Sequence, residues 1–294
     1  MSHQLRASST SFSPDRAGQP ALTSWRRPLL ATECGEFDSG AQGVALGLAQ
    51  RLGVGLSAVF PLASNPEYEA VAPAVAARAE AQARHLADGL AARAAAAGVA
   101  LTLDIRRSAE RYEAILDACQ QGAHDVLVMR RRGQRGFLAN LLMGEMVSKV
   151  LAHAPCPVVM CPRDTLLWTR GVLVGVDPLS PLPGLVEQAA ALARQAALPL
   201  HVVAVAADGT QRPLAEACVA AAVHQARGFG AQAQGEARTG RAHEALIAAA
   251  ADAACDLIVL GRHSVQPVSR AWIGGVTQKV IGLAACPVWV AVEG

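Results

Sequence analysis

The sequence predicts an α/β protein in which one doubly wound domain occurs twice. Three observations carry that expectation. The segment from Arg107 to Met129 lines up without a gap on Arg238 to Leu260, with Arg107/Arg238, Glu113/Glu244, Ala114/Ala245 and Asp125/Asp256 in register. Further on, KVLAHAPCPVV from Lys149 matches KVIGLAACPVW from Lys279, with one residue more in the first copy between its Asp and its Lys. Each copy is long enough to be a domain rather than a solenoid unit. Second, runs such as VLVGV, HVVAV and LIVL are continuously apolar and β-branched, as strands covered on both faces require. Third, these runs alternate with helical patterns across short loops, which argues a parallel sheet flanked by helices.

The boundaries follow. Residues 1–27 hold Ser, Arg and Pro without an apolar core segment, and read as a disordered arm rather than a secretory signal. Residues 28–162 form the first domain, 163–170 a linker and 171–294 the second domain. In the first copy the order is a strand in PLLATE (28–33), a helix over Ala41–Leu52 closed by Gly53, and a strand in GLSAVF (55–60). An Ala-rich helix over Tyr68–Ala97 follows, then a strand in ALTLDI (100–105), a helix over Arg111–Gln121 and the strand DVLVM (125–129). A Gly/Arg loop, a helix over Met143–His153 and the strand PVVMC (157–161) complete it. The second copy repeats this with strands at 171–177, 200–206, 231–236 (weak), 256–261 and 287–292. Its helices are expected over 184–196, 213–227, 242–253 and 272–283.

Composition bounds the function. With 294 residues, 52% hydrophobic and 17% charged, the chain has enough apolar surface for two cores, built mainly from Ala, Val and Leu because aromatics are 4%. A net charge of +2 gives no electrostatic case for nucleic acid or an anionic membrane. The seven cysteines are odd in number, lie in apolar runs and form no C-x-x-C pair, so they read as reduced thiols of a cytoplasmic protein, with no metal site. No stretch of about 18 uninterrupted apolar residues exists to span a membrane. Of the basic residues only Lys149 and Lys279 are lysines, and they are repeat partners; both read as helix-face residues.

In open α/β sheets ligands bind beyond the carboxyl ends of the strands. In the second copy strand one ends at Asp177, which can accept hydrogen bonds from a ribose or a base edge. Strand four ends at Gly261, where a backbone can approach a ligand closely. Arg262 and His263 add positive charge, Ser264 follows, and Gly274 and Gly275 precede a helix whose free N–H groups favour a phosphate.

DLIVLGRHS…WIGGVTQKVIGLAACPVWV and DVLVMRRRGQRGFLANLLMGEMVSKVLAHAPCPVVM resemble the C-terminal halves of universal stress protein domains, and VLVGVD and LLATE resemble the family's first strand. The resemblance covers nearly everything after residue 27, twice. It implies a Rossmann-like (adenine nucleotide alpha hydrolase-like) five-stranded parallel sheet of order 3-2-1-4-5 in each copy, with helices on both faces. It also implies pairing of the two domains through their last strands, within one chain or in a homodimer. Family members that bind ATP carry G-x2-G-x9-G-[ST]. The second copy keeps that spacing through Gly261, Ser264 and Gly274, with Ser264 at the second glycine and Gly275 at the hydroxyl position. The first copy departs further. Arg130 stands at the first glycine, Gly133 and Gly136 are out of step with Gly144, Glu145 replaces the hydroxyl residue, and Glu33 replaces the Asp. The run Arg130–Arg132 reads as a solvated loop. The expectation is a stress-response regulatory or binding module with ATP or another adenine nucleotide in the second domain only; a ligand-free interaction module with two vestigial clefts is the alternative. No catalytic motif appears: G-x-G-x-x-G after strand one is absent, and CGEFDS (34–39) only faintly resembles a phosphate-cleaving S-G-G-x-D-S loop. Slow ATP hydrolysis would have only Asp177 and His263 to draw on.

Overall fold

A computed structural model describes residues 25–131, 144–262 and 273–292. In the first half they form β1 (Pro28–Ala31), a 3-10 turn (Glu36–Asp38), α1 (Ser39–Leu52), β2 (Leu56–Ala63), α2 (Pro66–Val71), α3 (Pro73–Ala96), β3 (Leu101–Ser108), α4 (Arg111–Gln121), β4 (Val126–Arg130), α5 (Glu145–His153) and β5 (Val158–Cys161). In the second half they form β6 (Val172–Val176), α6 (Leu185–Ala196), β7 (Leu200–Ala206), α7 (Arg212–Gly228), β8 (Ala233–Thr239), α8 (Ala242–Asp252), β9 (Leu257–Gly261), α9 (Gly275–Leu283) and β10 (Val288–Ala291). The strands make one sheet of order β3-β2-β1-β4-β5-β10-β9-β6-β7-β8. Within each half every pairing is parallel, in the order 3-2-1-4-5. The predicted α/β, Rossmann-like class is the observed one. Between the halves β5 and β10 run antiparallel, with Val159 opposite Trp289.

The apolar runs behave as their composition requires: β4 is buried throughout, and β6 and β9 in all but their last residue. Two expectations need correction. The single Ala-rich helix over Tyr68–Ala97 is two helices, because Pro73 opens α3 at its first turn and Ala72 before it is non-helical (φ −133°, ψ 60°). Proline lacks the N–H that a continuous helix would use there, and it pushes the preceding residue out of the helical region. The weak strand expected over 231–236 is β8, displaced to Ala233–Thr239. It is an edge strand whose Gln234, Glu236 and Arg238 mask the apolar signal, a common way to blunt an edge.

The segment expected as an arm joins the fold at its end. Trp25 is buried, and the N–H groups of Arg26 and Arg27 donate to the Asp125 carboxylate at 2.5 and 3.0 Å; residues 1–24 lie outside the described residues. The repeat partner Asp256 accepts from the N–H groups of Thr169, Arg170 and Gly171 at 2.8, 3.0 and 3.1 Å. The in-register aspartates therefore pin the entry to the first strand of each half. Trp289 of β10 packs against Trp25 (ring centroids 4.6 Å apart) and edge-on to Trp168 (6.4 Å). On each face of the sheet one buried cluster contains residues of both halves, Leu30 with Val174 on one and Leu127 with Ile258 on the other. Between the halves, the connection after β5 lies along α1: a side chain at Gly40 would collide with the Pro162 carbonyl, and one at Gly47 would stand 3.0 Å from Leu167 Cβ.

Candidate functional site

The carboxyl ends of the strands differ sharply between the halves. In the second half a cavity of about 130 Å³ opens between the ends of β6, β7 and β9, lined by Asp177, Leu182, Val205, Gly261 and Thr277 among others. At the equivalent place in the first half the cavity is about 10 Å³, at the lower limit for one water; a separate cavity of about 370 Å³ adjoins it, sharing Glu33 and Pro61 and reaching Phe37, Leu86 and Arg111.

Arg130 closes the first cleft. This last residue of β4 turns its guanidinium inward, where its Nη1 meets Asp38 Oδ1 at 3.0 Å and its Nη2 meets Glu33 Oε2 at 2.7 Å. Glu33 Oε1 is also bridged by Arg111 at 3.2 Å. Asp38 is 1% exposed and also accepts the N–H groups of Glu33 and Gly35, both at 3.1 Å. Burial raises the Asp38 carboxyl above its ordinary range, against the pull of the Arg130 charge. The same two carboxylates hold the guanidinium charged in spite of its own burial. The reading of Arg130 as part of a solvated run is thus wrong for this residue: two acids more than ninety positions upstream draw it into the sheet edge. Arg132, Gly133 and Gly136 lie outside the described residues. Glu145 is not turned against this cleft either; it is 81% exposed and pairs with Lys149 at 2.8 Å, one helical turn on, which holds its carboxyl below the usual range. Lys149 also lies 4.7 Å from the centre of the Tyr112 ring.

In the second half Asp177 lines the cavity at the end of β6, and its Oδ1 accepts the Leu179 N–H at 2.9 Å, fixing the turn. Gly261 lines it from β9. A Cβ there would come within 2.8 Å of Leu182 Cδ2, so the loop after β6 packs directly on the bare backbone. Gly274 is the N-cap of α9, and no side chain among the described residues caps it. Gly275 opens the helix, and a side chain there would meet none of the described residues within 4 Å. Of the predicted residues Asp177, Gly261, Gly274 and Gly275 are therefore placed at this end of the sheet. His263 and Ser264 lie outside the described residues. Arg262 is not a cleft residue: its Nη1 donates to the carbonyl oxygens of Leu151 at 3.3 Å and Ala154 at 3.1 Å, at the end of α5 in the first half. A helix C-terminus leaves carbonyls without intrahelical donors, and a cation is favoured there.

Sequence reasoning missed Thr277. It is buried, it lines the cavity, and its hydroxyl donates to the Gly261 carbonyl at 2.9 Å, tying the first turn of α9 to the end of β9. Its one signal is a hydroxyl residue two positions after the Gly-Gly pair, on the face otherwise filled by Val280 and Ile281. A second cavity of about 340 Å³ adjoins the first, sharing Val176, Leu182 and Leu185 and reaching Cys218 and Gln225. Among the described residues no cluster of His, Cys, Asp or Glu has the makings of a metal site, and no helix is long and apolar enough to cross a membrane.

Comparison with known proteins agrees with this double architecture. The model of the universal stress protein family matches residues 29–162 and again 169–291. Universal stress protein Slr1230 of Synechocystis sp. is 27% identical over 168 residues, 57% of this chain and 58% of that protein, so the chain spans little more than half of this curated relative. Among solved structures, a universal stress protein from Archaeoglobus fulgidus superposes with a TM-score of 0.71 at 20% identity, covering 93% of this chain and 98% of that one. A functionally unknown protein, PA1789 from Pseudomonas aeruginosa PAO1, does so with a TM-score of 0.67 at 18% identity, covering 93% and 94%. At these identities the likeness shows the fold.

Proposed function

Because the chain belongs to the universal stress protein family and carries two of its domains, we propose that it is an asymmetric stress-response binding module. The second half binds one adenine nucleotide, and the first half binds none. The observation that carries this reading is the contrast at the end of the fourth strand. Gly261 leaves the second cleft open at about 130 Å³, whereas Arg130 fills the first with its own ion pairs. Negative charge on a nucleotide is met by the N-terminus of α9, whose N-cap is a glycine. Asp177, at the mouth of the same cleft, is the acceptor for a ribose hydroxyl or base amine. Asp177 is also the one ionisable side chain among the described residues lining that cavity. Among the described residues this single carboxylate held in a turn has no acid–base partner in the cavity, which supports reading the module as one that binds rather than turns over. Through the β5–β10 pairing the two halves act as one unit, and we place it in the cytoplasm on its reduced cysteines.

Equilibrium dialysis of the full chain against ATP tests the reading by stoichiometry. One nucleotide per chain is expected, and two per chain overturns the asymmetry. None, from folded protein at millimolar ATP, overturns nucleotide binding and leaves a ligand-free interaction module. Gly275→Glu puts a carboxylate on the first residue of α9, where its charge opposes a phosphate at the helix N-terminus. This variant should fold as the parent does and lose at least about tenfold in affinity, on the order of 1.4 kcal/mol.

A further inference from the structure

Arg131 and Arg262 occupy equivalent places, each directly after the fourth strand of its half, and each reaches into the other half. Arg262 holds the Leu151 and Ala154 carbonyls at the end of α5. Arg131 donates through Nη1 to the Ile281 carbonyl at 3.1 Å and to the Ala284 carbonyl, at the end of α9. The main chain of Arg262 is committed as well. Its N–H donates to the Ala291 carbonyl of β10, and its own carbonyl accepts the N–H of Gly274, the N-cap of α9, both at 3.1 Å.

The helix whose N-terminus faces the second cleft is therefore gripped at both ends. The backbone of Arg262 sets its first residue, and a side chain from the closed first half sets its last turn. We infer that Arg131 and Arg262 are positioning residues for the open cleft, so that the first half, which holds no ligand of its own, sets the affinity of the second. The inference rests on the nucleotide reading of that cleft for its ligand, and on the crossed contacts alone for its mechanics. Neither arginine touches the cavity. Arg131 acts through its guanidinium on the last turn of α9, and Arg262 through its main chain at the N-cap of α9, which its guanidinium anchors on the end of α5; a nucleotide on that helix N-terminus must hold α9 where these contacts favour it. By linkage, a bound nucleotide in turn stabilises the crossed contacts by the same factor.

The test uses the full chain with Arg131→Ala, Arg262→Ala and the conservative Arg131→Lys. Arg238→Ala serves as a control that removes an ion-pair network on β8 (Glu236 at 2.7 Å, Asp252 at 2.8 Å) away from the cleft. Calorimetric titration with ATP reads affinity, and amide hydrogen exchange reads residues 273–279 and 150–156. Arg131→Ala should weaken ATP about tenfold, within the range usual for coupled sites. Arg262→Ala should do the same, Arg131→Lys should recover part of the loss, and Arg238→Ala should bind as the parent does. In the ligand-free protein both alanine variants should speed exchange at the start of α9, distant from the Arg131 contact itself. Parental ATP affinity in Arg131→Ala, or an equal loss in Arg238→Ala, overturns the inference. If the parent binds no ATP, exchange decides by itself. Faster exchange at 273–279 in Arg131→Ala sustains the positioning role while the nucleotide reading falls, and unchanged exchange there removes it.

Discussion

Arg130 occupies in the first half the room that Gly261 leaves in the second, and its surroundings set how firmly that cleft is shut. Its side chain is 10% exposed and that of Asp38 1%, so the pair sits out of water with two further backbone donors on the aspartate. A buried pair of this kind adds little over an apolar replacement, but breaking it strands a charge. Arg130→Ala is expected to cost about 3–5 kcal/mol in urea denaturation, because Asp38 is left buried and unbalanced. It should not create a nucleotide site, because Glu33 still stands in the cleft. A loss under about 1 kcal/mol would mean that water reaches Asp38 freely. In the sequence the substitution of arginine for glycine is plain. Its inward turn is not, because the deciding partner, Asp38, lies on a 3-10 turn 92 residues earlier, where no spacing rule reaches. The same holds for Arg262: charge beside a phosphate loop suggests a ligand contact, and only the position of α5 shows otherwise.

Helix α1 teaches the reverse lesson, since its pattern is legible and its glycines are not. The apolar periodicity from Ala41 to Leu52 gives a helix, and Gly53 ends it in the left-handed conformation (φ 65°). Gly40, Gly43 and Gly47 look like helix-weakening residues in that pattern. They are the bed on which the connection between the halves rests, reinforced by the Ser39 hydroxyl donating to Asp164 at 2.8 Å. The two uses of glycine separate by mutation. Gly89→Ala on α3 meets nothing within 4 Å and should stabilise by about 0.5–1 kcal/mol through helix propensity. Gly40→Ala gains the same propensity but drives a methyl into the Pro162 carbonyl, and should destabilise by about 1–3 kcal/mol net. Thermal denaturation of the two variants should move in opposite directions; a shared upward shift would show that the connection yields without cost. Pro73 is equally visible in the sequence, but Ala-rich stretches on both sides favour helix throughout, and the break at Ala72 shows in the structure.

At the scale of the whole molecule the strand order came from the resemblance, whereas the covered strands came from composition: a β-branched run without polar alternation has to be sandwiched. The pairing register, Val159 against Trp289, follows from no local signal. Its consequence is that the halves share both cores, and Trp289 of the second lies between Trp25 and Trp168 at the entries to β1 and β6. Unfolding should therefore be one cooperative transition despite the two domains, with tryptophan fluorescence and far-ultraviolet dichroism superimposable along the urea axis. Two separated transitions would show that the shared core contributes less than either half alone.

In this structure the strand that completes each half belongs to the same polypeptide as its mate, joined through the segment resting on α1. Separate subunits that meet along such an edge shuffle, so a mixed pool holds like with like as well as like with unlike. A tethered pair has one composition in every molecule. A fault in one half, such as an arginine that seals a pocket, is then always inherited beside an intact neighbour. Mutation is free to drive the two apart, one toward holding a ligand and the other toward responding to it.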